Sequence, residues 1–167
     1  MKKLIFLVLV ASVLIGCSGN EKVVLPAALF TDMSDEEIKA LKDEQGYEEV
    51  TVNDDDTVTL IMSKEKHEEI VDGIHKDLDN SFDEVINADS SFITKVEKND
   101  QLDHFIFVGK ESAYEESYAV YAELSVLMNA YYYHFFQGKS EDEIEITFEY
   151  IDPNGNTYKT ETYPKVE

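Results

Sequence analysis

The chain has 167 residues, with 14 basic against 36 acidic side chains and a net charge of −22. All 14 basic residues are lysine, and together with the acidic excess this argues against nucleic acid, which requires a basic face for counterion release, and against a basic amphipathic helix lying on anionic lipid. Cys17 is the only cysteine, which rules out an internal disulfide and leaves packing to hold the fold.

In chain order the first element is an apolar leader. Lys2 and Lys3 precede an uncharged stretch, Leu4 to Ile15, which ends at Gly16 and Cys17. A positive start, a short apolar run and a small residue at the cut make a secretory signal over residues 1–16. The run is too short for a membrane span, which needs about 20 apolar residues. Leu14-Ile15-Gly16-Cys17 resembles the lipobox of bacterial lipoproteins. The resemblance implies removal of residues 1–16, a diacylglyceryl thioether and acyl chains on Cys17, and a membrane-anchored protein on the extracytoplasmic face. Residues 17–22 then read as the lipidated cysteine and a short tether of reach about 17 Å, and residues 23–167 as a single domain.

Val23-Val24-Leu25 reads as a strand. Ser34 and Glu37 form a capping box, with Met33 and Ile38 placed as a hydrophobic staple, and the helix they open carries Ile38 and Leu41 inward and stops at Gly46. A hairpin follows, Glu49 to Val52 and Thr57 to Met62, around Asn53-Asp54-Asp55-Asp56. Next is a long helix over 64–87 with Ile70, Val71, Ile74, Leu78, Phe82 and Val85 on one stripe.

The pattern then recurs 46 residues on. Asn53 meets Asn99, Lys64 meets Lys110, and the helical stripes align Ile74 with Val120, Leu78 with Leu124, Phe82 with Met128 and Val85 with Tyr131. This is a tandem ββα unit, about 48–88 and 94–137. A last hairpin, Glu143 to Ile151 and Thr157 to Tyr163, turns on Asp152-Pro153-Asn154-Gly155, where Asn-Gly supplies positive φ. The expected architecture is α+β: an antiparallel sheet with long helices packed on one face, built from the tandem unit plus the C-terminal hairpin.

Chemistry is sparse. His67-Glu68-Glu69 opens like a zinc-protease helix, but Val71 stands where the second His is needed. His75 and Asp79 are half a site at most. Asn53 to Asp56 lacks the mid-loop Gly and the distant Glu of a calcium loop. Neither a Gly-x-Ser-x-Gly elbow nor a phosphate-binding glycine loop occurs. No catalytic residue, metal ligand or cofactor is therefore assigned, and no enzyme is expected.

The third helix departs from the chain's own composition. From Leu124 through Gln137 it has no Asp, Glu or Lys, in a chain that is 30% charged. One stripe holds Tyr114, Tyr118, Tyr121, Met128, Tyr132 and Phe135, and the opposite one Val120, Leu124, Leu127 and Tyr131. A helix apolar all round is buried on more than one side. It is either central core, or its second face, Tyr118, Tyr121, Tyr132 and Tyr133, meets a ligand or partner, since tyrosine suits a surface with one wet end. Phe135 is expected in the core and Tyr132 partly exposed, while His134 reads as a satisfied core or rim histidine.

The short tether, hairpin–helix tandem and lysine-only basicity together resemble small Gram-positive surface lipoproteins. The expected function is a non-enzymatic protein- or peptide-binding module tethered to the membrane; the alternative is a small-molecule or cation-binding lipoprotein accessory to transport.

Overall fold

A computed structural model describes residues 19–55, 57–87, 92–110 and 119–164, with only the backbone at 27 and at 119–122. The leader, Cys17, Tyr114 and Tyr118 lie outside these residues, as does the side chain of Tyr121.

Strand β1 (Asn20–Pro26) runs into a 3-10 turn (Ala27–Phe30) and helix α1 (Asp35–Gln45). Both predicted ends of α1 are present. Ser34 and Glu37 form the reciprocal capping box, and Gly46 closes the helix at φ 75°, a conformation that only glycine adopts without strain. Strands β2 (Glu49–Val52) and β3 (Thr57–Ser63) form the predicted hairpin, and α2 (Lys64–Asn87) follows directly, with Ser63 Oγ accepting from the Lys66 N–H at 3.2 Å. Strands β4 (Ile93–Lys98) and β5 (His104–Gly109) and helix α3 (Ala119–Phe136) repeat that order. A 3-10 turn (Glu141–Glu143) precedes the closing hairpin, β6 (Ile146–Ile151) and β7 (Thr157–Tyr163).

The α+β class is as expected, but the strands do not make one antiparallel sheet. They divide into a three-stranded antiparallel sheet, β1-β3-β2, and a four-stranded mixed sheet, β4-β5-β6-β7, in which β5 and β6 are parallel. Parallel neighbours need a long crossover, and α3 supplies it. The pairing brings Phe105 beside Phe148 and Phe107 beside Tyr150. Their rings pack at centroid separations of 5.6 Å (Phe105–Phe148), 5.0 Å (Phe107–Phe148) and 5.2 Å (Phe107–Tyr150). Aromatic pairs of this kind are worth about 0.5–1.5 kcal/mol each beyond the area they bury. Hairpin logic alone pairs sequence neighbours, so it misses this aromatic match.

Two strand expectations are corrected. Glu143 to Glu145 precede β6, because Ser140 and Glu143 form a second capping box that turns the chain there. Ile144 and Ile146 are buried all the same, together with Phe148 and Tyr150. The strand β1 begins at Asn20, so the predicted tether loses its last three residues to the sheet.

The last turn also differs. Asn154 does not take a positive φ; among the described residues of the turn only Gly155 does, at 88°. The Asp152 carboxylate instead organises a five-residue loop by accepting the N–H groups of Asn154 at 2.8 Å and Asn156 at 2.9 Å. Hydrogen bonds from the Asn156 side chain and backbone, with those of Asn154, pull the pKa of Asp152 to about 2.

Helices α2 and α3 run antiparallel. His67 Nε2 of α2 lies 2.7 Å from Phe136 O at the end of α3. Ser81 and Ser125 hydroxyls lie 2.9 Å apart, and Asn129 donates to Ser125 O at 3.0 Å. One core joins both sheets to this pair, from Val23, Leu60 and Met62 on one side to Phe105, Phe148 and Tyr150 on the other. The predicted α2 stripe holds: Ile74, Leu78 and Val85 are buried, with Ile70, Val71 and Phe82 packed against the core.

Candidate functional site

The third helix is turned differently from its predicted stripes. Its buried line is Glu123, Val126, Ala130 and His134, while Leu124, matched in the sequence to buried Leu78, is 54% exposed. The Ser81–Ser125–Asn129 bonds fix which side of α3 faces α2, and polar residues there carry no signal in a hydrophobic pattern. The buried carboxylate of Glu123 accepts the Tyr150 hydroxyl at 3.0 Å, so a charged residue occupies the place that the stripe reserved for an aliphatic one.

The four nominated tyrosines do not form one surface. Tyr118 is outside the described residues, and for Tyr121 only the backbone is described. Tyr133 is half-buried against α2, its ring 5.3 Å from that of His75 and 5.5 Å from that of His134. Tyr132 is half-buried, as expected, and Phe135 is core.

Tyr132 opens onto an apolar pocket of about 260 Å³. Phe136, Ile70 and Ile74 of the helix pair form one wall, Leu25 and Leu60 of the three-stranded sheet another, and Leu29, Phe30, Leu41 and Tyr47 the rim. Local sequence explains the rim. The 3-10 turn after Pro26 brings Leu29 and Phe30 round, and the glycine stop at Gly46 delivers Tyr47. Burial raises the pKa of Tyr47, which keeps its phenol neutral and able to donate. Leu41 was legible as an inward position, whereas Tyr47 carried no signal beyond its place after a helix stop.

A second concavity, of about 600 Å³, runs beside β1. Lys22, Val24, Leu25 and Pro26 form one side, Gly138 to Glu141 with Glu143 the other, and Phe135 lines it between them. It continues over the outer face of the sheet to Asn53, Asp54, Asp55 and Thr59. Val24, on the outer face of β1, is 39% exposed.

Among the titratable groups His134 stands out. It is 2% exposed, and Nε2 lies 3.2 Å from the carbonyl of Leu102, a residue held at φ 54°. Burial pushes its pKa down and Lys139 adds to the shift, against a smaller pull upward from the Leu102 carbonyl and Asp103. The imidazole is therefore neutral near pH 7, with the proton on Nε2 as donor to Leu102. Nδ1 is buried without a hydrogen-bond partner among the described residues, so the expected full satisfaction of this histidine is half met. The suggested His75–Asp79 pair is not formed; Asp79 accepts Lys98 Nζ at 2.7 Å. Among the described residues no three His, Cys, Asp or Glu side chains converge as a metal site, and no helix is long and apolar enough to cross a membrane.

Comparisons with family models, with curated proteins and with solved structures each return no match to this chain.

Proposed function

We propose that this chain is a bacterial lipoprotein, held at the extracytoplasmic face of the cell membrane through lipid on Cys17, whose domain binds protein or peptide and is not an enzyme. The observation that carries the binding reading is the pocket at Tyr132. At about 260 Å³ it falls below the roughly 300–1,000 Å³ of pockets that enclose a free small molecule. A cavity of that size suits a single anchoring side chain of a larger partner, the way apolar anchors seat in protein interfaces. Tyr47 and Tyr132 are the two lining residues that carry a side-chain hydroxyl, which is the kind of polar contact that orients such an anchor.

A photo-crosslinking residue at position 132, installed in the lipidated protein in intact membranes, tests this. A discrete polypeptide adduct at 132, absent when the crosslinker sits at exposed Asp77, is the expected result. Equal labelling at both positions, or adducts with small molecules only, would overturn it. Fatty-acid labelling of wild type and Cys17→Ala tests the anchor separately: retained label and processing in the variant would remove the lipoprotein assignment.

A further inference from the structure

The backbone of β1 ends the three-stranded sheet, and its hydrogen-bonding direction follows from one bond. Lys64 N–H donates to Gly19 O at 3.1 Å, in line with the β1–β3 register of Asn20 opposite Ser63. In an antiparallel pair, bonded and non-bonded positions alternate. Val23 and Leu25 therefore bond inward to β3, and the N–H and C=O groups of Lys22 and Val24 point to the free edge. Among the described residues no strand pairs with β1 on that side.

An exposed edge with unpaired N–H and C=O groups is a template for another strand, and folded proteins normally blunt it. Here the blunting is partial. Pro26 closes the far end, where it has no N–H to offer, and Lys22 is exposed. Between them stands Val24, an aliphatic side chain 39% exposed on a strand edge.

The edge also opens onto space. The groove of about 600 Å³ lies directly along Lys22, Val24, Leu25 and Pro26, with Phe135 lining it. On α3, Leu124, Met128, Tyr131 and Phe135 follow at spacings of four, three and four, which puts all four on one side of the helix, so the two stripes expected on opposite faces are neighbours there. The concavity and its continuation over the sheet present four carboxylates, Asp54, Asp55, Glu141 and Glu143, against two ammonium groups, Lys22 and Lys139. The net charge of −22 adds a long-range field of the same sign.

We propose that this groove takes an extended cationic peptide segment, which adds to β1 as a fourth strand of the three-stranded sheet. The backbone bonds of Lys22 and Val24 give it register, alternate apolar side chains pack on exposed Val24, and Lys or Arg side chains between them meet the surrounding carboxylates. Strand addition of this kind draws affinity from main-chain hydrogen bonds and specificity from alternate side chains. The proposal deepens the binding function above and rests on it.

The test uses the lipidated full-length protein in neutral nanodiscs and three synthetic octapeptides. One alternates Lys and Val, one alternates Glu and Val, and one is the Lys–Val peptide N-methylated at alternate residues. Amide hydrogen exchange at Lys22 and Val24 is the readout. The Lys–Val peptide is expected to slow exchange at both amides at least tenfold, with no protection from the other two. Asp55→Lys combined with Glu141→Lys, both exposed and away from the core, should weaken the Lys–Val effect severalfold with the melting temperature unchanged. Equal protection by the acidic peptide, protection that survives N-methylation, or none at all would overturn the proposal. Concentration-dependent protection without peptide would make a second copy of this chain the occupant, and would overturn it equally. A partner crosslinked at position 132 while these amides stay unprotected would leave the binding function standing and remove strand addition; failure of both would remove both.

Discussion

Helices α2 and α3 occupy the same place in two successive hairpin–helix units, yet they are built on opposite plans. The first is amphipathic: its charged side is wet and its apolar stripe, Ile74, Leu78 and Val85, is buried. The second has almost no charge beyond Glu123, and buries a mixed line of Glu123, Val126, Ala130 and His134 while leaving Leu124 in solvent. Equivalent position in a repeat therefore does not fix equivalent burial. A helix with a polar side has its rotation set by water, whereas one without is rotated by the particular bonds its neighbours offer, here Ser81 to Ser125 and Asn129 and Tyr150 to Glu123.

The sharpest way to break this contrast is to truncate one core residue on each helix. Phe135→Ala should lose about 3–5 kcal/mol and Leu78→Ala about 2–5 kcal/mol, since both leave cavities in a packed interior. Chemical denaturation measures both. A small loss at Phe135 would mean that α3 is less firmly seated than α2.

Next in size is a pH effect that belongs to α3. His134 stays neutral in the folded chain, with its pKa pushed below the ordinary 6.5, whereas the unfolded chain takes up the proton near that ordinary value. Below it the unfolded state binds more protons, so stability falls as pH drops through about 6.5, and the loss levels off below the folded-state pKa. Melting temperatures from pH 7.5 to 5 should fall more steeply for wild type than for His134→Gln, which keeps a side-chain donor for Leu102 O. Parallel curves would show that the histidine is not held neutral.

The smallest expected effect completes the contrast. Leu124→Ala should change stability by no more than about 0.5 kcal/mol, like Asp77→Ala on the wet side of α2. A loss of several kcal/mol at Leu124 would restore the stripe that the repeat implies.

Sequence periodicity located the elements well where one rule dominated. Capping at Ser34 and Gly46, the period-2 alternation of Thr57 to Met62 and the amphipathic stripe of α2 each have a local cause, and each is present. What failed to show were non-local choices. Whether β5 pairs with β6 depends on Phe105 and Phe107 meeting Phe148 and Tyr150, contacts between segments separated by all of α3. The candidate site was legible in part. Tyr132 was chosen for its uncharged surroundings, and it does line the pocket. Tyr47, Leu29 and Phe30 complete that pocket by tertiary placement, and no spacing rule connects them to α3. The groove beside β1 had a faint trace in Val24 and Pro26, since a proline ending a strand marks an edge.

The parallel pairing of β5 with β6 also bears on the order in which the two sheets should form. When α2 is complete, β1, β2 and β3 have all emerged, and the N-terminal sheet has every strand it needs. At the same stage of the second unit β5 has only β4 beside it, and a lone two-stranded hairpin is marginal in water. Its aromatic residues wait through the whole of α3 for Ile146–Ile151 to arrive. The β1–β3 pairing can start from Pro26 and Thr57, 31 residues apart, whereas every β5–β6 pair spans 43; the longer closure is the slower, so refolding should protect the amides of β3 before those of β5, and pulsed hydrogen-exchange labelling would follow both. Simultaneous protection would mean that the two sheets consolidate as one cooperative unit. In the expected order, the interval before β6 docks is when this acidic chain most exposes Phe105 and Phe107 to misassociation.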